Sequence, residues 1–162
     1  MAGTMRALTV RDLTDADLPS LGWAGSPRHV RELAHRIRRA QAGEIDYLAV
    51  CPPAGPPVAL GGIGYTATPG AGTLRQLGVH PALRSRGIGT LLIRSAEQHI
   101  TARGPARAEL AVEEANPRAR ALYERLGYRA HGRAPDSWDV EDADGTPRRY
   151  ETVCTLMRKH LA

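Results

Sequence analysis

Apolar residues along this chain fall into short alternating or continuous runs and longer runs at helical spacing, and the two kinds predict different elements. Ala7-Leu8-Thr9-Val10-Arg11 reads as a first strand, and Thr14 and Asp15 open a short helix over Ala16 to Leu21. Ser26-Pro27 is an N-cap followed by proline at the first helical position. Val30, Leu33, Ala34 and Ile37 recur behind it at helical spacing, so that helix runs to about Gln41 and ends near Gly43. The arginines on its far face read as solvated. Tyr47 to Cys51 and Val58 to Tyr65 are the second and third strands, joined by a proline-rich turn too short for a linker. Glycines in the third strand imply a bulge or a close backbone approach.

Thr68 to Gly72 turns the chain into a fourth strand, where Leu77 and Val79 alternate until Pro81 stops the ladder. A helix follows with Ile88, Leu91, Leu92, Ser95, Ala96, His99 and Ile100 on one face, ending around Arg103-Gly104-Pro105. Ala108 to Val112 is a fifth strand. Asn116-Pro117 opens a helix carrying Ala119, Leu122, Tyr123 and Leu126, with Gly127 as C-cap. A sixth strand runs from Tyr128 to about Arg133, Asp144-Gly145 is a hairpin turn, and Tyr150 to Met157 is the seventh strand. The helical crossover makes the fourth and fifth strands parallel neighbours in a mixed sheet.

Between the fourth strand and its helix lies Arg84-x-x-Gly87-x-Gly89. A helix N-terminus presents free N–H groups and the positive end of its dipole. Gly87 and Gly89 remove side chains that would hold a phosphate away from those groups. The ligand expected there is a pyrophosphate.

Composition changes this picture little. At 162 residues the chain reads as one domain, 1–162, with room for a substantial core. The net charge of +5 and pI near 9.8 raise nucleic acid as a partner. The cations are dispersed, however, and all but Lys159 are arginine, so no basic arm supports that partner. No apolar run is long enough to span a membrane, and the first residues lack the apolar stretch of a secretory leader. Cys51 and Cys154 are too few for a disulfide framework, so a reduced, cytoplasmic protein is expected. No metal site is expected.

Two stretches together resemble the GNAT superfamily of acetyl-CoA-dependent N-acetyltransferases. One is Val79-His80-Pro81 with Arg84-x-x-Gly87-x-Gly89; the other is Asn116-x-x-Ala119-x-x-Leu122-Tyr123-x-x-x-Gly127-Tyr128. The motifs cover roughly a third of the chain, and their order, with one helix and one strand between them, is specific. The resemblance implies an α/β (α+β) fold: a mixed, mostly antiparallel seven-stranded sheet flanked by about four helices, with a V-shaped splay between the parallel fourth and fifth strands. It implies acetyl-CoA as cosubstrate, its pantetheine arm pairing with the backbone at Leu77 and Val79 like an added strand. The pyrophosphate would meet the N–H groups of Arg86, Gly87, Ile88, Gly89 and Thr90, with the Arg84 and Arg86 side chains in reach. The backbone N–H near Val79 would polarise the thioester carbonyl. The Tyr123 hydroxyl would protonate the leaving thiolate, and Asn116 would hold the pantetheine arm or the leaving group.

The base is left open. Many members carry a glutamate on the fourth strand where this chain has Gln76, and a neutral amide cannot accept the proton. Glu113 and Glu114, at the end of the fifth strand, and His80 are the candidates by sequence. Each position also has a plainer reading: Tyr123 as an aromatic packed on its helix, Asn116 as an N-cap, and both glutamates as loop carboxylates. The acidic run Asp136, Asp139, Glu141, Asp142 and Asp144 reads as a solvated hairpin. Its sharper reading is an acceptor mouth, shared with Trp138 and Trp23, that attracts a cationic amine.

The function implied is acetyl transfer to a primary amine of a small molecule, by direct attack in a ternary complex. The alternatives are acetylation of protein N-termini or lysines, of aminoacyl-tRNA, or a coenzyme A-binding sensor without turnover. A homodimer is expected by resemblance alone.

Overall fold

The computed structural model describes residues 7–161. Seven strands form one sheet in the order β1-β2-β3-β4-β5-β7-β6. They are β1 Thr9–Asp12, β2 Asp46–Cys51, β3 Ala59–Gly64, β4 Ala71–Val79, β5 Arg107–Glu113, β6 Arg129–Glu141 and β7 Pro147–His160. Three α-helices flank them: α1 Pro27–Gln41, α2 Ile88–Arg103 and α3 Pro117–Arg125. Only β4 and β5 pair in parallel, as the crossover through α2 requires. Every other neighbouring pair is antiparallel.

Each face of the sheet carries its own core. On one face Ile88, Leu92, Ile93 and Ile100 of α2 bury against Leu48, Val50, Ile63, Leu74, Leu110, Val112 and Met157. On the other, Leu33 and Ile37 of α1 bury against Tyr47, Ala49, Cys51 and Leu60. The glycines of β3 let both layers close. A Cβ on Gly61 would stand 2.6 Å from Leu77 Cδ2, and one on Gly62 would stand 2.8 Å from the Tyr47 ring.

The sequence-based boundaries shift in three places. The first short helix is a 3-10 turn, Asp15–Ser20, with Pro19 inside it. Asp17 closes that turn by accepting from Thr14 N–H at 2.9 Å and from both Arg11 guanidinium nitrogens at 2.8 and 2.7 Å. The fourth strand begins at Ala71, inside the stretch expected to turn. The sixth and seventh strands extend far beyond their expected ends, as a hairpin running from Arg129↔Arg158 out to Glu141↔Pro147. Pro135 looks like a breaker within it, but β6 is the sheet edge, where a missing N–H leaves no ladder bond unmade.

Candidate active site

β4 and β5 pair only through Ala71↔Arg107, Gly72↔Ala108 and Thr73↔Glu109. Past those residues the parallel neighbours carry no ladder, and a V opens between Leu74–Val79 and Leu110–Glu113. The local cause lies on β4. Gln76 adopts φ 55°, in the left-handed region, and the register against β3 shifts between Leu60 and Gly62. An extra residue there bends the strand. His80 N–H donates to Val58 O, just before β3, at 2.7 Å. Backbone direction alternates in an antiparallel ladder, so the Val79 N–H turns away from β3, toward the gap. The Leu77 side chain packs against Gly61 and the core cluster under α2, which leaves its backbone as the part available to the V.

The three helix N-termini are built differently. Ser26 Oγ accepts from His29 N–H at the start of α1, at 3.2 Å, and Asn116 Oδ1 accepts from Ala119 N–H at the start of α3, at 3.1 Å. The start of α2 has no side-chain cap; its N-cap is Gly87, at φ 81°. The first N–H groups of α2, from Ile88, Gly89 and Thr90, therefore lack intrahelical and capping partners. Ile88 is buried in the core, so only its backbone serves this end. A Cβ on Gly87 would meet nothing within 4 Å, so the approach to these groups is open. Arg84 and Arg86 are exposed beside it and form no ion pair among the described residues. Uncapped donors, an open approach and two unpaired guanidiniums fit a coenzyme A pyrophosphate.

α3 packs directly on this end. Gly89 lies against Leu122, and Arg118 donates to Ser85 Oγ. Tyr123 is half-buried, edge-on to Tyr128 with ring centroids 6.3 Å apart. Burial alone pushes its phenol above the ordinary value, so it stays protonated through neutral pH. Gly127, at φ 98°, ends α3 and lets Tyr128 turn into the core, where its hydroxyl donates to Glu97 at 2.8 Å. Lys159 holds the same carboxylate at 2.9 Å.

The base candidates differ in their surroundings. Glu114 is exposed and ion-paired with Arg133, which holds its carboxyl below the usual range. That pairing opposes a role as base. Glu113 is half-buried and accepts from the Tyr150 hydroxyl at 2.5 Å. Tyr150 stacks at a tilt on Trp138, with centroids 5.0 Å apart. His80 caps the 3-10 turn after β4, its Nδ1 accepting from Ala82 N–H at 3.1 Å, and its ring lies 5.4 Å from Trp23. Trp23 and Trp138 thus have separate partners.

The acidic run lies on the hairpin, as expected, and much of it is matched by arginine. Asp139 meets Arg28 and Arg149, each at 3.1 Å; Asp142 meets Arg148 at 3.0 Å; Glu141 faces Arg31 at 3.6 Å. Gln76 points to the α1 face. With its amide oriented so that oxygen faces the guanidinium, it accepts from Arg36 at 2.6 and 2.8 Å and donates to the Tyr47 hydroxyl at 3.2 Å. Sequence reasoning passed over Arg36 as solvated. Its position three residues after Leu33 and one before Ile37 borders the buried stripe and could have marked it.

A splayed parallel pair with an open helix end at its mouth defines an acyltransferase built to take a coenzyme A thioester. The acetyltransferase (GNAT) family matches residues 11–128, and the chain belongs to that family. Solved structures agree in fold. The ribosomal-protein-S18-alanine N-acetyltransferase of Escherichia coli is 21% identical, with a TM-score of 0.72 over 96% of this chain and 94% of that one. The spermidine N-acetyltransferase of Vibrio cholerae, in complex with CoA and spermine, is 19% identical, with a TM-score of 0.72 over 96% of each. A phosphinothricin acetyltransferase of Sinorhizobium meliloti, in complex with AcCoA, is 20% identical, with a TM-score of 0.73 over 96% and 89%. Among the described residues no helix is long and apolar enough to cross a membrane.

Proposed function

We propose that residues 1–162 are a single acetyltransferase domain that moves the acetyl group of acetyl-CoA directly to a primary amine of a small molecule. The observation that carries this reading is the uncapped start of α2 beside the mouth of the β4–β5 gap. Acetyl-CoA supplies the thioester-bound acetyl group. The N–H groups of Arg86 to Thr90 hold the pyrophosphate, with the Arg84 and Arg86 side chains adding charge. The edge of β4 at Leu77 and Val79 pairs with the pantetheine arm. The Val79 N–H polarises the carbonyl that the amine attacks. Tyr123, protonated through neutral pH, gives its proton to the departing sulfur.

Asn116 spends its side-chain oxygen on the cap of α3 and so aligns the helix that carries Tyr123. Glu113 is the group we assign to receive the proton of the amine, because Glu114 is tied to Arg133. The two buried, free cysteines agree with a cytoplasmic setting.

The test is a thiol-release assay with acetyl-CoA across small amines, peptides and charged tRNA, beside calorimetric binding of acetyl-CoA. Turnover of small amines above peptides is expected. Tight binding with no turnover of any acceptor would replace this reading with a sensor, and turnover confined to peptides would replace the acceptor class.

A further inference from the structure

We propose that the cleft between α1 and the tip of the β6–β7 hairpin is an oxyanion subsite for the acceptor, so that the acceptor is a primary amine with a carboxylate or phosphate at its far end. This rests on the transfer reading above. The cleft is open to solvent, measures about 550 Å³ and is lined by Arg28, Arg31, His35 and Arg36 of one face of α1, with Glu32 and Glu141 as the acids among the described residues that line it. Those acids hold the arginines loosely. Glu32 is shared between Arg28 at 3.5 Å and Arg36 at 3.8 Å, and Glu141 stands 3.6 Å from Arg31. A tight guanidinium–carboxylate contact is about 2.8 Å, so Arg31 and Arg36 keep donors free for a better-placed anion, while Arg28 is held at 3.1 Å by Asp139.

Arg36 is the centre of the subsite. The Gln76 amide oxygen fixes its guanidinium at 2.6 and 2.8 Å without cancelling its charge, as a carboxylate there would. The charge is felt nearby: burial and then Arg36 depress the His29 imidazole, and Arg36 outweighs the opposing effect of Glu32. Gln76 also ties the subsite to the chemistry. It lies three residues before Val79 on β4, or roughly 10 Å along a strand. An acceptor with its nitrogen at Val79 and its anion at Arg36 must therefore separate the two by several bonds. A cationic far end is disfavoured, because it would enter a cleft lined by three guanidiniums, where Asp139 already meets Arg28 at 3.1 Å.

The test compares acceptors of equal length: ω-aminohexanoate, aminohexyl phosphate, hexylamine and diaminohexane. Steady-state kcat/KM is expected to favour whichever of the two anions fits better over hexylamine by about tenfold, with diaminohexane poorest. Arg36→Gln should remove most of that preference, and Arg36→Lys should keep part of it, which separates lost charge from lost folding. Equal use of all four, a preference for diaminohexane, or a preference that survives Arg36→Gln overturns the subsite. Calorimetry with ω-acetamidohexanoate, which carries the anion but no free amine, decides the matter apart from catalysis. Saturable binding lost in Arg36→Gln upholds the subsite even if no amine is acetylated. Turnover of amines without such binding overturns the subsite and leaves the transfer reading intact.

Discussion

The start of α2 packs on α3, where Gly89 lies against Leu122, yet the N-terminus of α2 is left open and that of α3 is closed by a side chain. A closed end satisfies its donors and fixes the helix; an open end keeps its donors for something else. The chain uses the closed end to hold Tyr123 in place and the open end to present N–H groups. The donor side of the cleft is therefore made mostly of backbone, while the acceptor side, around Arg36 and the hairpin, is made of side chains from distant segments.

The largest effect is expected at the open end. Gly87 sits at φ 81° with empty space before it, so Gly87→Glu places a carboxylate where the phosphates belong and strains the backbone. Acetyl-CoA binding, followed by calorimetry, should weaken about 10³-fold, or about 4 kcal/mol. Gly87→Asn, which tolerates the left-handed conformation and adds no charge, should lose far less. Equal affinity in Gly87→Glu and the parent would place the phosphates elsewhere.

Next comes the closed end. Tyr123→Phe keeps the ring against Tyr128 and removes only the hydroxyl. We expect kcat to fall about 10²-fold with the KM for acetyl-CoA nearly unchanged. Unchanged turnover would reduce Tyr123 to a packing residue.

The two sides differ in how far they could be read before folding. Gly87, Gly89 and Asn116 announce themselves because a backbone site needs particular residue types at fixed spacing within one stretch. The succession of strands along the chain followed from periodicity, and the parallel β4–β5 pair from the helical crossover between them. Arg36 and Tyr150 were silent for the opposite reason. Arg36 meets Gln76 across forty positions and Tyr150 meets Glu113 across thirty-seven, and no local pattern records a contact of that span. The long hairpin was cut short because Pro135 and the acids of β6 look like loop; only its place at the sheet edge makes proline harmless.

A further closed terminus shows what closure does for stability. The 3-10 turn at Asp15–Ser20 is capped by Asp17, whose carboxylate is nearly buried and bonded to Arg11 and Thr14. Asp17→Asn should lower stability by about 2 kcal/mol at neutral pH in urea melts, with no change in acetyl-CoA affinity. The Arg11 hydrogen bonds pull the folded Asp17 carboxyl below its ordinary value. A depressed folded value means the contribution is complete above the unfolded value of about 3.9 and is lost as pH falls through the folded one. The gap between parent and variant should accordingly close under strong acid. A gap that widened there would contradict the ionic account of the cap.

The smallest effect separates the two duties left to Asn116. Its oxygen caps α3, and only its NH₂ is free to face the cosubstrate. Asn116→Asp keeps the capping oxygen and loses the amide donor; Asn116→Ala loses both. Alanine should cost about 1 kcal/mol in urea melts and aspartate almost nothing. Turnover then says which duty matters. Among the described residues the capping bond is the hydrogen bond this side chain makes, and it aligns the helix that carries Tyr123. We therefore expect Asn116→Asp to keep kcat within about twofold, while Asn116→Ala loses several-fold as Tyr123 drifts. If the two variants lose activity equally, the NH₂ is the working group, and the end of α3 is open to the cosubstrate after all.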